Sequence, residues 1–302
     1  MFDGLINSIV EGIQNALAGL ITNLFELIVL ILQGAFANPD VGVGADFTAS
    51  GMVSADPMTW SGGNPWGVVR GLSEAVVVPI GTLILLVVLV NELVQIMVSG
   101  NQFENAGIGA FVKWSVKAVI GIILVSNVFN IATGIFTMGS WIGQEGTAFL
   151  NQAFADVNVI IDPQESDIGA MLIIIIILFL VLLGVIILFL AILITLAGRM
   201  IEIFMYLAIA PVPMATYMNS EWRQMGNGWL RGMFALAFQA FFVVVAIAIF
   251  TGILNTVLGN AFNDGITFDV VPAALVLLSY TLTLVFTILR SGSISKSIFG
   301  AS

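Results

Sequence analysis

The chain has 302 residues, of which 59% are hydrophobic and only 9% are charged, and its formal net charge is −10. A soluble domain carries about 25% charged residues, so several membrane spans are needed to dilute the charge this far. The sequence contains no Cys and no His, which excludes disulfides, thiolate catalysis and imidazole-based metal or proton chemistry. With only eight Lys and Arg residues, it also lacks the basic surface that ordinarily holds nucleic acid.

Residues 1–36 place apolar side chains at helical spacing, with polar side chains mostly on the opposite side. The segment lacks the basic start of a signal peptide and the Lys/Arg face of a helix that binds anionic lipid. We expect an N-terminal amphipathic helix. It either lies along the membrane or against the protein's own helices, or packs against its own copies through Ile9, Ile13 and Leu17. Its second half, residues 20–36, is also a candidate short span.

Residues 37–74 are rich in Gly, Pro, Asp and Ser and include Trp60 and Trp66. This composition predicts an exposed loop, which is long for a mere connector. The two tryptophans suit the membrane–water interface.

Long apolar stretches within residues 75–290 predict a transmembrane helical domain. The expected fold class is an all-α polytopic membrane protein with about five transmembrane helices, at residues 75–98, 110–137, 168–198, 229–254 and 270–289. The third span would be about 46 Å long at about 1.5 Å per residue, against a hydrocarbon core of about 30 Å. It must therefore tilt or extend beyond the bilayer.

The third span is followed by a break at Pro211 and Pro213, which predicts a re-entrant or interfacial hairpin over residues 199–219. Arg199 and Glu202 lie three residues apart at the helix end, close enough to pair. The pair is either a simple interface anchor or an ion pair that locks the junction between helix and hairpin.

Other polar side chains fall within the predicted spans or near their ends. Gln239 lies in the middle of the fourth span, where a buried amide needs a partner, so it faces another helix or a wet lumen. Lys113 and Lys117 either snorkel to the interface or line a polar passage, and Glu92 lies near the end of the first span.

Two pairs of glycines, Gly139 with Gly143 and Gly228 with Gly232, match the small-residue motif of helix packing in membranes. Because the chain has 31 glycines, roughly three such matches arise by chance, and the motif alone is a weak signal.

The basic residues are distributed one-sidedly, and this predicts the orientation. If the Lys113 end of the second span is inside, only Arg70 lies outside. Residues 37–74, 138–167 and 255–269 are then extracellular, and residues 291–302 form a cytoplasmic tail. The basic residues placed inside are Lys113, Lys117, Arg199, Arg223, Arg231, Arg290 and Lys296.

No Walker loop, zinc-protease motif, nucleophile elbow or paired-acid arrangement is present in the sequence. There is also no matching pair of broken spans in two halves, the mark of an inverted-repeat transporter. We expect neither an enzyme nor a cofactor.

Two stretches resemble a known family. They are Arg199-Met-Ile-Glu-Ile-Phe-Met-Tyr-Leu-Ala-Ile-Ala-Pro-Val-Pro-Met-Ala, and Ser220-Glu-Trp followed by Gly228-Trp-Leu-Arg-Gly-Met-Phe-Ala-Leu-Ala-Phe-Gln. They resemble the TrbL-type conjugal transfer protein, the polytopic membrane component of type IV secretion systems, in the variety found on conjugative elements of Gram-positive bacteria. The similarity is strongest over residues 168–250.

The resemblance implies a protein of the cytoplasmic membrane that oligomerises, as a ring, into part of the translocation channel or its membrane base. It implies membrane lipid, cytosolic ATPases, a pilin-like small subunit and a bitopic scaffold as partners, and single-stranded DNA or a relaxase–DNA complex as a transient substrate. Candidates for partner contacts at the cytoplasmic face are Glu221, Trp222, Arg223 and Arg231. A small-molecule or ion permease and a non-conducting membrane scaffold remain alternatives.

Overall fold

The computed structural model describes residues 2–36, 49–99, 108–155, 167–261, 268 and 271–301. These ranges contain no strand, so the predicted all-α fold class is confirmed. A 3₁₀ turn, Trp60–Gly63, precedes the third helix, and a π-helical turn, Ser73–Val77, joins the third helix to the fourth. The α-helices of the described ranges are α1 (Phe2–Phe36), α2 (Ala49–Val53), α3 (Asn64–Leu72), α4 (Val78–Ser99), α5 (Ile108–Ser126), α6 (Val128–Ala155), α7 (Ile168–Ala208), α8 (Pro211–Thr216), α9 (Arg223–Ala261), α10 (Val271–Leu289) and α11 (Ser291–Ile298).

Six helical segments of the described residues are long and apolar enough to cross a membrane. Five of them overlap the five predicted spans, and the sixth lies in the N-terminal helix, whose second half is also a candidate span by sequence. The chain is a multi-pass membrane protein. The segments are Gly4–Leu32, Trp60–Val98, Gly109–Ser126, Ile168–Ala208, Arg223–Val257 and Val271–Leu289.

The three segments predicted as extracellular loops are all partly helical, and in the third, 255–269, α9 continues to Ala261. Helix is continuous from Asn64 to Ser99 through the π turn, with a proline in the first turn of α3, where a missing N–H costs little. Helix α6 likewise continues to Ala155, well into the predicted loop at 138–167. Residues 37–48, 156–166, 262–267 and 269 of these predicted loops lie outside the described residues.

The chain divides into two compact units, and α6, α7 and α9 contribute residues to both. The first unit comprises Met1–Ser54, Ile142–Ala197 and Ala240–Ser291. Its core is built from side chains three or four positions apart on α1, α7, α9 and α10, the spacing that lines one helix face. Core side chains include Ile21, Phe25 and Ile28 of α1, Ile174, Leu178 and Val185 of α7, Val243, Ile247 and Phe250 of α9, and Leu277, Leu284 and Ile288 of α10.

The second unit comprises Ala55–Trp141, Gly198–Gln239 and Gly292–Ser302. Its core is formed by the four helices α3, α4, α5 and α6 together with the end of α7, the short α8 and the start of α9. Trp66 is buried there, edge to face with Phe129 at 6.1 Å between ring centroids.

Glycines bring helices together within each unit. In the second unit, a Cβ at Gly139 would lie 2.8 Å from the carbonyl oxygen of Ala237, so only glycine fits there. In the first unit, Gly143 makes an equally close approach to the backbone of Val53. The weak motif Gly139–Gly143 therefore marks a real packing surface, whereas Gly228 of the second motif faces open space.

Candidate functional site at the proline break

Helix α7 ends at Ala208 because two prolines beyond it remove backbone donors from the helical ladder. Pro211 has no N–H for the carbonyl of Leu207, and Pro213 has none for that of Ile209. Both carbonyls instead accept N–H groups from three residues ahead, at 3.2 and 3.1 Å. The α-helical ladder thus tightens into turns before α8 begins.

Two side chains from other elements supply the donors that the break still needs. The hydroxyl of Ser73, which is fully buried in the π turn, donates to the carbonyl of Ala208 at 2.8 Å. The indole N–H of Trp229, at the start of α9, donates to the carbonyl of Tyr206 at 3.1 Å. The break is therefore a hydrogen-bonded junction, held by the π turn before α4 and by α9. Turns of the π type recur at functional sites.

Close backbone approach at glycine also fixes the junction. A Cβ at Gly81 of α4 would lie 2.8 Å from the Cβ of Pro211 and 3.0 Å from its carbonyl oxygen. A Cβ at Gly226 of α9 would lie 2.9 Å from the carbonyl oxygen of Pro213. Each proline thus packs directly against a glycine of a neighbouring helix.

The predicted pairing of Arg199 with Glu202 is wrong. Arg199 is almost fully buried, and its guanidinium donates to the carbonyls of Leu236 at 2.8 Å and Ala237 at 3.4 Å on α9. Glu202 is half-exposed and forms its ion pair with Lys296 of α11 at 3.0 Å. The two side chains leave α7 toward different neighbours, and the helix-end spacing cannot reveal this.

The segment predicted as a cytoplasmic tail contains helix α11, which packs on α9. The hydroxyl of Ser295 donates to the carbonyl of Ala235 at 2.5 Å, and the ring of Phe299 lies 5.2 Å from that of Phe238. Gln239 is buried, and a Cβ added at Gly292 would lie 3.1 Å from its Nε2. Of the two environments predicted for Gln239, the contact is therefore with another helix.

The polar residues of the first two predicted spans meet each other. Glu92 of α4 is buried and forms an ion pair with the half-exposed Lys117 of α5. Nearby, the indole N–H of Trp114 donates to the carbonyl of Leu89 at 2.9 Å. Lys113, one turn before Lys117, is exposed.

The residues predicted to contact partners at the cytoplasmic face are all exposed: Glu221, Trp222, Arg223 and Arg231. The carboxylate of Glu221 accepts a hydrogen bond from Gln95 of α4 at 3.2 Å. The guanidinium of Arg223 lies 5.9 Å from the ring centroid of Tyr217.

The residues predicted for self-association differ in exposure. Ile9 is 54% exposed and Ile13 is 45% exposed, whereas Leu17 packs partly against the core of the first unit. The second half of α1 is held there by buried side chains such as Ile21 and Phe25. The first half of α1 presents an apolar face that the described residues do not cover.

Among the described residues, no three acidic side chains come close enough together to hold a metal ion. The buried polar side chains at the break donate to backbone carbonyls of neighbouring elements and so link those elements.

A family model described as TrbL/VirB6 plasmid conjugal transfer like protein matches residues 46–211, more than half of the chain. The chain belongs to this family. No curated protein and no solved structure is significantly similar to it. Membership in the TrbL/VirB6-like family makes the chain a membrane component of conjugal transfer, with other secretion-system subunits as its partners.

The TrbL/VirB6-like match overlaps the junction only in part. It includes Ser73, Gly81, Arg199 and Glu202 and ends at Pro211. The second stretch of sequence resemblance, residues 220–239, lies beyond the matched residues.

Sequence reasoning missed three residues that hold the junction in this TrbL/VirB6-like protein. Ser73 and Trp229 supply its side-chain donors, and Lys296 is the true partner of Glu202. The two prolines do indicate that nearby carbonyls lose their backbone donors and need others. Nothing in the sequence, however, indicates which distant side chains provide those donors.

Proposed function

We propose that this chain is the membrane-embedded subunit of a conjugative type IV secretion system of the Gram-positive variety. Several copies would associate to form part of the DNA and protein translocation channel or its membrane base. The observation that carries the proposal is the family match over residues 46–211, in a chain with six candidate spans among its described residues. The role is structural and conducting, without catalysis.

The exposed apolar face of α1 supports self-association. A membrane helix that is covered by its own protein on one half only presents the rest to lipid or to another copy. The lack of basic residues in α1 argues against a headgroup-bound helix.

The charge of the chain suits passage rather than capture of a nucleic acid. With a net charge of −10, the protein does not offer single-stranded DNA or a relaxase–DNA complex the Lys/Arg contacts that give tight binding. Such a substrate would move past the surface, driven by cytosolic ATPases and guided by a pilin-like subunit and a bitopic scaffold.

We place the protein in the cytoplasmic membrane with its C-terminus inside. The seven-to-one distribution of basic residues supports this orientation. A cytoplasm-active reporter fused after Lys296 should be functional, and an external protease should cut within residues 138–167. An inactive fusion together with protection of 138–167 would reverse the orientation.

The functional test is deletion of the gene from its conjugative element, with complementation in trans. We expect the conjugation frequency to fall by orders of magnitude and to recover with the full chain. The host's uptake of ions and small nutrients should stay unchanged. A transfer frequency that is unaffected by the deletion would overturn the proposal, and a specific uptake defect would favour a permease.

The oligomer is tested separately by measuring the mass of the purified protein in detergent and imaging it. We expect a ring of several copies. A strictly monomeric protein that still supports transfer would leave the chain as a non-conducting scaffold.

A further inference from the structure

Helix α4 carries one acidic residue in its buried stripe. Leu85 and Val88 are 4% and 1% exposed, and Glu92, one turn further along the same face, is 8% exposed. Its ion-pair partner, Lys117, lies on α5, and both helices belong to candidate spans. Ionisable side chains at such positions are costly, and they usually face protein or a water-filled cavity.

Two buried polar atoms of the second unit, one of them in this pair, have no protein partner among the described residues. One carboxylate oxygen of Glu92 takes Lys117, and the other, Oε2, has no partner. Asn219 is fully buried, and its Oδ1 accepts the backbone N–H of Glu221 at 2.7 Å, yet its Nδ2 has no partner. Buried polar groups are nearly always hydrogen-bonded. The missing partners of Glu92 Oε2 and Asn219 Nδ2 therefore require an explanation.

Contacts on either side place both side chains along the same stretch of α4, between residues 85 and 95. Below them, Leu85 of α4 and Met218 both pack against Gly121 of α5. Above them, Gln95 of α4 donates to Glu221. Asn219 lies between Met218 and Glu221, just as Glu92 lies between Leu85 and Gln95.

We propose that Glu92, Lys117 and Asn219 form a water-binding site in the second unit, beside the ends of α4 and α5 that face the α8–α9 connection. One orphan atom is an acceptor and the other is a donor, and water is the smallest group that satisfies both. Buried water of this kind typically makes two to four hydrogen bonds to groups that would otherwise be unsatisfied. It also solvates the ion pair, which reduces the cost of holding two charges at this depth.

The first test is hydroxyl-radical footprinting of the full-length wild-type protein in membrane vesicles, because radicals formed from bound water oxidise adjacent methionines. Met218 directly precedes Asn219, whereas Met214 and Met233, buried in the same core, are not chain neighbours of the three site residues. We expect Met218 to be oxidised several-fold faster than either control. Equal rates at the three methionines would overturn the proposal.

The variants Asn219→Leu and Glu92→Leu/Lys117→Met extend the test by removing the polar groups. The measurement uses whichever of the two variants is produced as folded protein. In that variant, the oxidation rate of Met218 should fall to the rate of Met214. Fast oxidation that persists without the polar groups would place the water elsewhere and overturn the assignment.

Cysteine labelling gives an independent measurement in this naturally Cys-free chain. A small water-soluble thiol reagent should label Met218→Cys, which keeps the three polar side chains, several-fold faster than Met214→Cys in the same buried core. Equal labelling of the two folded variants would contradict a hydrated site.

Discussion

Single side chains at the proline break replace missing backbone hydrogen bonds. Each proline removes one donor, and the carbonyls of Tyr206 and Ala208 then take an indole N–H and a hydroxyl from distant elements. In an apolar environment an unpaired carbonyl costs several kcal/mol, so these two donors are expected to matter more than their small contact area suggests.

Ser73→Ala should destabilise the protein by about 0.6–2 kcal/mol, the range for side-chain hydrogen bonds between membrane helices, because the carbonyl of Ala208 loses its hydroxyl donor. Thermal unfolding in detergent, followed by tryptophan fluorescence, measures the loss. Ser126→Ala is the control, since that exposed hydroxyl only returns to its own helix at Ile122. Equal shifts in the two variants would contradict a special role for Ser73.

Gly81→Ala should also destabilise the protein, by about 1–3 kcal/mol, as overpacking does. The added methyl group would meet backbone atoms of Pro211 at 3.0 Å, and backbone cannot move aside cheaply. Gly71→Ala is the matched control. It has open space around it and should gain up to about 1 kcal/mol from better helix propensity. A neutral Gly81→Ala would mean that α4 and α8 are less tightly held than their geometry indicates.

At the scale of elements, the break and the spans are readable from the sequence, whereas the partners of the charged residues are not. Prolines and long apolar runs act locally, so α10 matches its predicted bounds and α7 begins at the predicted residue. Helix α7 nevertheless continues ten residues past its predicted end at 198, to Ala208 just before the prolines, so the first half of the predicted hairpin is helix. The sequence predicted a loop over Asn64–Leu72 because this segment contains Gly and Pro. The packing of Trp66 in the core overrides that loop preference, and the segment is helical. Lys296 is 94 positions from Glu202, a pairing that no local rule can find.

Exchanging charges distinguishes the observed pair, Glu202 with Lys296, from the predicted pair, Arg199 with Glu202. Glu202→Lys should cost less than about 1 kcal/mol, because the pair is half-exposed, and Glu202→Lys/Lys296→Glu should restore the stability. Arg199→Glu should be severe, since it places a carboxylate against the carbonyls of Leu236 and Ala237. Adding Glu202→Arg should not rescue it. Thermal unfolding of each set gives the coupling energies, and rescue of Arg199→Glu by Glu202→Arg would refute the observed partners.

The ion pair between α4 and α5 should respond asymmetrically to the loss of either partner. Lys117→Met leaves Glu92, with only 11% of its side chain exposed, as a lone buried charge, at a cost of about 3–5 kcal/mol. Glu92→Leu should cost less, because Lys117 is 40% exposed and its long stem can carry the ammonium outward.

The double variant Glu92→Leu/Lys117→Met should recover much of the stability, since apolar replacement of a buried pair is often neutral. The exposed Lys113→Met serves as control and should stay within about 0.5 kcal/mol of wild type. Unfolding midpoints in detergent provide the comparison, and equal losses in the two single variants would argue against the difference in burial.

At the scale of the whole molecule, the covered and uncovered parts of α1 suggest a contact surface for the proposed oligomer. Buried side chains such as Ile21 tie the second half of the helix to the first unit, while Ile9 and Ile13 remain exposed on the first half. In a monomer, lipid alone would cover that face. In an oligomer, neighbouring copies of α1 would cover it and exclude lipid through close packing.

Single cysteines distinguish these two arrangements, because the natural chain has none. Brief oxidation in membranes should link Ile9→Cys and Ile13→Cys into dimers of the chain. Ile21→Cys, which is buried, and Ile187→Cys, which is 51% exposed on α7, should stay monomeric, the latter because exposure to lipid alone does not bring copies together. Deletion of residues 1–20 should leave a protein that inserts in the membrane but has the mass of a monomer. Dimers at Ile187 as abundant as those at Ile9, or a truncated protein with the mass of the full-length oligomer, would remove α1 from the interface.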